Sequence, residues 1–302
     1  MHISLDSALG RPPRLIGESI NSIAVPAAAY SLRSLTGGDP LAVRVRRDTG
    51  GGAGDDDEKD FTVSEVASGA LLDWVGSGND GFVPIWYDQS GNNRNATVST
   101  DSKEPIIVES GTFQNGLKFT HADTTNGKRL YIPRNSTELG TEFALVWVGT
   151  YSGSEAKTKV VLGNARGVQN NNAGATAIMV RPAANTFRFI NENSGSTTLN
   201  KTNSTTVAAD TTAIAFANFD DDAVTISTNG NAETSTFSGT NLTSTADLRI
   251  MAGQSASGAT GGTYRPEEST EGICKEVLVY DTNQSNNRTS IEANIINHYS
   301  IS

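Results

Sequence analysis

From residue 105 to residue 280 the chain is cut into short apolar stretches, each closed off by Gly, Asn, Ser or Thr. The stretches are Pro105–Val108, Gly116–Phe119, Leu130–Ile132, Phe143–Thr150, Lys159–Gly163, Thr176–Arg181, Thr186–Ile190, Thr212–Asp220, Ala223–Thr228, Leu248–Ala252 and Ile273–Tyr280. Strands punctuated by turn residues at this fairly regular spacing indicate a β-sandwich. "FDDDAVTISTNG" (Phe219–Gly230) reads as a hairpin with an acidic turn, closed by an Asn-Gly pair. At 302 residues the chain fits one large all-β domain or two small ones, enough for a substantial core without covalent staples. Only one cysteine, Cys274, is present, so there is no intrachain disulfide framework and no thiolate metal site. Its place in an apolar strand marks it as a small core residue.

The first hundred residues are less uniform. "PAAAYSLRSL" (Pro26–Leu35) suits a short helix ending at Gly37-Gly38. "LAVRVRRD" (Leu41–Asp48) alternates strictly, which predicts a half-buried strand with Arg44 and Arg46 outward. The Gly- and Asp-rich run Thr49–Asp60 is a loop. Ser64–Val75 has a helical period, with Ser64 as cap and Ala67, Leu71, Leu72 and Val75 on one face. Gly81–Asp88 is a strand. At the far end, Thr289 and Glu292 have capping-box spacing ahead of a helix with Ile291, Ile295, Ile296 and Tyr299 on its apolar face.

Residues 1–28 stand apart from the domain that follows, 29–302. They lack strand alternation and contain "RPPR" (Arg11–Arg14), whose prolines hold the backbone extended. Leu5, Leu9, Arg11, Arg14, Leu15, Ile16 and Ile20 give this arm its docking chemistry. It is expected to dock on its own domain or, preferentially, on another chain. The segment has no continuous apolar core of the kind a secretory signal needs. The net charge of −10 and pI near 4.8 argue against nucleic acid as a partner, and no apolar run reaches a membrane span.

Candidate metal sites are weak. The acidic runs Asp55–Glu58 and Asp220–Asp222 offer oxygen ligands of the kind Ca²⁺ takes, but a solvated loop and a hairpin turn explain them as well. His2, His121 and His298 are scattered along the chain, and their spacing suggests neither a zinc site nor a catalytic triad.

The densest collection of polar chemistry is "WYDQSGNNRNAT" (Trp86–Thr97). Asp88, Ser90 and Asn92 are short side chains suited to satisfying turn N–H groups, and Gly91 permits a tight reversal. Trp86 and Tyr87 alternate, so one faces the core and the other the opposite side. Together with "AYSLRSL", "LAVRVRRD" and "LLDWVGSGNDGFVPIWYDQSG", this motif resembles the catalytic domain of arabinofuranosidase B and lectin-like proteins of bacteriophages. The resemblance runs from Ala27 to Ser302. It implies an all-β concanavalin A-like (laminin G-like) jelly-roll sandwich, with a few short helices and the N-terminal arm. Domains of that type sometimes hold Ca²⁺ at a sandwich edge; no residue pattern here calls for it, and no other cofactor is implied.

In those enzymes a Glu nucleophile precedes a Leu-Gly-Asn and an Asp acid/base follows a Gly-Gly pair. The corresponding stretches here are "KTKVVLGN" and "MAGQSASG", which place Thr158 and Gln254 at the two positions. A retaining glycosidase needs two carboxylates. A Thr supplies no carboxylate nucleophile, and a Gln amide cannot act as the acid. The expectation is therefore a non-enzymatic virion structural protein: a lectin-like domain at the virion surface, attached by its arm to capsid or tail. Its partners would be other virion proteins, further copies of itself and a host-surface glycan. The competing expectation is a polysaccharide-active glycoside hydrolase of the arabinofuranosidase type. Tyr264, Arg265 and Tyr151 are the candidate glycan contacts.

Overall fold

A computed structural model describes residues 19–50, 57–121, 127–133, 139–154, 156–164, 176–192, 198–221, 223–236, 247–254 and 264–302. Two antiparallel sheets form the expected all-β sandwich, with strands numbered in chain order. The first sheet runs β1 (Ala28–Ser31), β20 (Gly272–Tyr280), β9 (Glu142–Gly149), β14 (Ala213–Asp220), β15 (Ala223–Thr228), β16 (Asn231–Thr236). The second runs β3 (Glu58–Thr62), β2 (Leu41–Asp48), β4 (Asp80–Trp86), β5 (Ala96–Thr97), β8 (Leu130–Ile132) and β17 (Leu248–Ile250). It continues through β10 (Lys159–Gly163), β11 (Thr176–Arg181), β12 (Thr186–Glu192) and β13 (Thr198–Thr206). The hairpin β6 (Ile106–Glu109) and β7 (Thr112–Phe119) joins the sheets, pairing with β4 on one side and β20 on the other. A two-residue ribbon, β18 (Gly253–Gln254) with β19 (Tyr264–Arg265), stands alone.

Strand β9 shows why the first sheet reads as unbroken apolar sequence. Phe143, Leu145 and Trp147 enter the core between the sheets. Ala144, Val146 and Val148 face the other way, into a second apolar cluster. That cluster is roofed by α1 (Ile20–Ile23) and by the terminal helix α4 (Arg288–Tyr299), through Ile20, Ile291 and Ile295. A strand buried on both faces has no polar alternation to show. Beneath α4 the buried Glu276 accepts two hydrogen bonds from Arg33, at 2.7 and 2.9 Å, and others from Ser31 and Tyr299, both at 3.1 Å.

Several local expectations are corrected. Ala28–Ser31 is strand β1 and not a helix, because all four residues are buried and pair with β20. Ser64 is not the helix cap. Thr62 caps α2 (Val63–Ala67) in a box with Glu65, and Gly69 at φ 87 separates it from α3 (Ala70–Val75). Thr289 and Glu292 form no box; Asn287 occupies the cap position, and Glu292 turns inward to pair with Arg288. Arg46 lies on the outward side of β2 but is buried, with Nε 2.8 Å from Glu104 and its guanidinium over the Phe82 ring. Burial raises the Glu104 carboxyl above its ordinary range, against the pull of Arg46. The Asn229-Gly230 turn, at φ 50 and 86, joins β15 to β16.

The Trp86–Thr97 segment works on the backbone, as its composition suggests. Trp86 is buried in the core, while Tyr87 points to the opposite side and donates to Asp60 at 2.6 Å. The Asp88 carboxylate accepts the N–H groups of Ala29, Ser90 and Arg94 at 2.9, 2.9 and 3.0 Å, and the Ser90 hydroxyl at 2.8 Å. The Gln89 N–H donates to the Ala29 carbonyl at 2.8 Å. Its side-chain amide donates to the carbonyls of Ser31 and Arg33 and accepts the Leu35 N–H. Ser90 and Asn92 both donate to the Ala27 carbonyl. The loop thus occupies the edge of β1 that faces away from β20, a position where unpaired strand groups are a hazard.

Candidate functional site

The two outer faces of the sandwich differ. Helices α1 and α4 roof the first sheet. On the second sheet, one row of outward positions crosses the strands by direct register: Asp60, Arg44, Ile85, Thr97, Tyr131, Arg249, Gly163. The inner strands show the alternation: Val43 and Val45 flank Arg44, Leu130 and Ile132 flank Tyr131, and Leu248 and Ile250 flank Arg249, all six in the core.

The near end of the row is a preorganised polar group. Arg44 donates to both Asp60 oxygens, at 2.7 and 3.0 Å, and Tyr87 donates to one of them. Both charged side chains are about a third exposed, at 36% and 35%. The hydrogen bond from Arg44 lowers the Asp60 carboxyl below its ordinary range. Burial, with Asp60 beside it, pushes the Tyr87 hydroxyl up to about 12. Thr97, midway along the row, is exposed.

The far end is a corner rich in buried polar groups. The Arg249 guanidinium lies 5.2 Å from the centre of the Tyr131 ring, and the Arg129 Nε donates to the Tyr131 hydroxyl at 2.9 Å. Burial lowers Arg249 from its ordinary value, and Arg129 adds to the effect. His121 is buried, and that burial drives its imidazole down to about 3, so the ring is neutral at pH 7. Lys159 is buried nearby, and its charge works in the same direction.

The ladder between β10 and β17 pairs Leu162 with Ile250 and Gly163 with Arg249. Continued, it runs toward Thr158 and Gln254. It opens at Met251, φ 58, where Ser269 and Thr270 enter: the Thr270 N–H donates to the Met251 carbonyl and Ser269 bridges to Val160. Ser269 also accepts the Gly253 N–H at 3.0 Å. The chain positions of Thr158 and Gln254 therefore fall in one corner, and Gln254 pairs with Tyr264 across the β18–β19 ribbon. Thr158 is half-buried.

The other candidates distribute as follows. Arg265, the partner of Gly253 in the ribbon, lies 3.2 Å from Glu267 and 3.9 Å from Glu268. Tyr151 is no surface contact. It is fully buried, and its hydroxyl donates to the Val207 carbonyl at 2.6 Å and lies 2.9 Å from Asn185 Oδ1. It fills the core because it lies just past β9, continuing the inward alternation of that strand. Of the arm residues, Ile20 is buried under the sandwich's own first sheet; Leu5, Leu9, Arg11, Arg14, Leu15 and Ile16 lie outside the described residues. Cys274 is buried in the core, which pushes its thiol up. Among the described residues, no group of three or more His, Cys, Asp or Glu converges as a metal site.

Sequence reasoning missed two carboxylates at this corner. Glu268 is buried, with its Cβ 2.8 Å from where a side chain on Gly253 would begin. Glu271 accepts the His121 N–H at 2.9 Å. They lie outside the two short stretches matched to the enzymes' carboxylates, and only the fold brings them to this corner.

No protein-family model matches the chain, and no curated protein matches it. Solved structures do. An arabinofuranosidase complexed with arabinofuranosyl-α-1,2-xylobiose superposes with a TM-score of 0.55 at 14% identity, over 90% of this chain and 62% of that one. A GH54 α-L-arabinofuranosidase soaked with 4-nitrophenyl α-L-arabinofuranoside gives 0.57 at 14% identity, over 92% and 64%. This chain thus spans less than two thirds of either protein. At that identity the likeness establishes a shared fold: the chain is an all-β sandwich of the architecture found in arabinofuranosidases.

Proposed function

We propose that this protein is a non-catalytic, lectin-like domain that binds saccharides on the outer face of its second sheet. The observation that carries the reading is the corner itself. In the sequence match the two positions that correspond to the enzymes' carboxylates are Thr158 and Gln254, which supports the reading. Neither side chain ionises as double displacement requires. A hydroxyl and an amide at these positions suit recognition of a sugar more than cleavage of one.

The finer part of the proposal places this domain on a phage virion, attached to capsid or tail through its N-terminal arm. It rests on the resemblance to phage lectin-like proteins, which extends into "SLDSALGR" in the arm. Because Ile20 is buried in the apolar cluster between the first sheet and α4, the docking segment in this reading is residues 1–18. Deleting them should leave the fold intact and abolish incorporation into particles, read by mass spectrometry of purified virions. Unchanged incorporation refutes the docking role.

The competing enzymatic reading draws on Glu268 and Glu271 at the same corner. Glu268 sits beside Arg265 and Glu271 holds a backbone N–H, which commits both to structural contacts. Calorimetric titration of the full chain with arabinofuranosyl-xylobiose tests the binding reading directly. Saturable heat without product supports it; absence of binding to any saccharide rejects it.

A further inference from the structure

The C-terminal end of α4 gathers more positive charge than the fold neutralises there. The cause begins with a bulge in β20. Cys274 pairs with Gly149 and Glu276 with the adjacent Val148, so Lys275 is an extra residue in the ladder. A bulge of this kind re-aims a side chain. The Lys275 ammonium lies over the ring of Tyr299, the last residue of α4, 5.7 Å from its centre. The Arg33 guanidinium lies over the same ring, also at 5.7 Å. His298 meets it edge-on, with ring centres 4.6 Å apart. Three basic side chains, from the segment after β1, from β20 and from α4, thus meet at one tyrosine.

A single carboxylate serves all three, and it is already taken. Glu276 is fully buried and accepts two bonds from Arg33 and one each from the Ser31 and Tyr299 hydroxyls. Neither Lys275 nor His298 forms an ion pair among the described residues. The helix end offers about half a negative charge, less than the lysine alone carries. Burial lowers His298 from its ordinary value, and Arg33 and Lys275 add to the effect against the pull of Glu276. Burial lowers Lys275 as well. The surplus is local, since the whole chain carries a net charge of −10.

We infer that this junction of α4 and β20 binds an oxyanion group, a sulfate, phosphate or carboxylate, between Lys275 and His298. His298 is exposed and Lys275 half-buried, so both are reachable from solvent. Lys275 supplies the point charge, and His298 supplies an N–H donor that becomes charged on protonation. Arg33 holds Glu276 through Nε and Nη2, which leaves Nη1 as a further donor. That bidentate pair also fixes the guanidinium in place before any ligand arrives. The site lies on the helix-covered side of the sandwich, away from the proposed saccharide face, and does not depend on it.

The test is an NMR titration of the full-length chain at constant ionic strength, following the His298 ring protons. The probes are inorganic sulfate and a linear galacturonate trimer, whose charges stay constant through the His298 titration. A bound anion favours the imidazolium, so saturation should raise the His298 pKa by about one unit, and affinity should rise about tenfold as pH falls through it. Lys275→Gln should weaken binding about tenfold, and Lys275→Arg should restore most of it. His298→Gln, at an exposed position, should abolish the pH dependence; it keeps the test decisive if Lys275→Gln fails to fold. Tighter binding of the trimer supports a site for an acidic saccharide, and tighter binding of sulfate supports a site for a free ion. The inference is overturned by the absence of a saturable shift with both probes. Binding indifferent to Lys275→Gln, or a pH dependence that survives His298→Gln, overturns it equally.

Discussion

Replacing Asp88 with Ala should destabilise the protein without touching the binding face. The carboxylate accepts four hydrogen bonds, two of them from Ser90 in the same partly open loop, where water can substitute. The other two are different. Ala29 is fully buried, and its N–H has Asp88 Oδ1 at 2.9 Å; the half-buried Arg94 N–H has Oδ2 at 3.0 Å. A buried donor left without an acceptor costs about 1–3 kcal/mol, and bonds to a charged acceptor lie at the upper end. The two together come to about 4 kcal/mol, with Asp88→Asn near half of that because one acceptor oxygen survives. Urea unfolding followed by tryptophan fluorescence measures this, since Trp86 lies two residues away in the core. The midpoint should fall while the slope stays constant. A midpoint within about 0.5 kcal/mol of the parent would refute the edge-capping argument. So would loss of saccharide binding at unchanged stability, because the loop would then be a functional site.

Three further outcomes follow from the packing. Glu276→Leu strands the Arg33 guanidinium beneath α4 and should cost about 3 kcal/mol, while the double variant with Arg33→Leu recovers part of that in the same urea assay. His121 titrates near 3 in the folded protein and near 6.5 when unfolded, so below pH 6.5 the unfolded chain takes up the proton first. Stability should therefore fall from pH 6.5 toward pH 3, by about 2 kcal/mol at pH 5, and His121→Phe should flatten that slope in thermal melts. Gly163→Ala places a Cβ 2.3 Å from the Thr176 carbonyl at φ 152, and should cost more than about 2 kcal/mol or abolish soluble expression.

The sequence disclosed the strands that fill the core. Phe143–Thr150 and Ile273–Tyr280 announce themselves because both of their faces are apolar. It hid those stabilised by position. β13 ("TLNKTNSTT") and β16 ("NAETST") end their sheets and need little apolar surface, so they read as loop. β1 read as helix because a short buried run carries no usable period, and its neighbours, β20 and the Asp88 loop, lie far away in sequence. Arg46 was legible as outward but not as covered, since Glu104 and Phe82 come from other segments. The candidate site shows the same limit. Gln254 and Tyr264 were separate suspicions until the ribbon paired them. The row from Asp60 to Arg249 exists only in the register of six strands, which no local pattern encodes.

The most direct test of the central claim is to offer the full-length chain 4-nitrophenyl α-L-arabinofuranoside and arabinofuranosyl-xylobiose, and to record binding and nitrophenol or arabinose release together. The account predicts saturable binding with no release above the uncatalysed background, unaffected by Glu268→Gln or Glu271→Gln. Turnover abolished by either carboxylate substitution would contradict it and make this sandwich an enzyme.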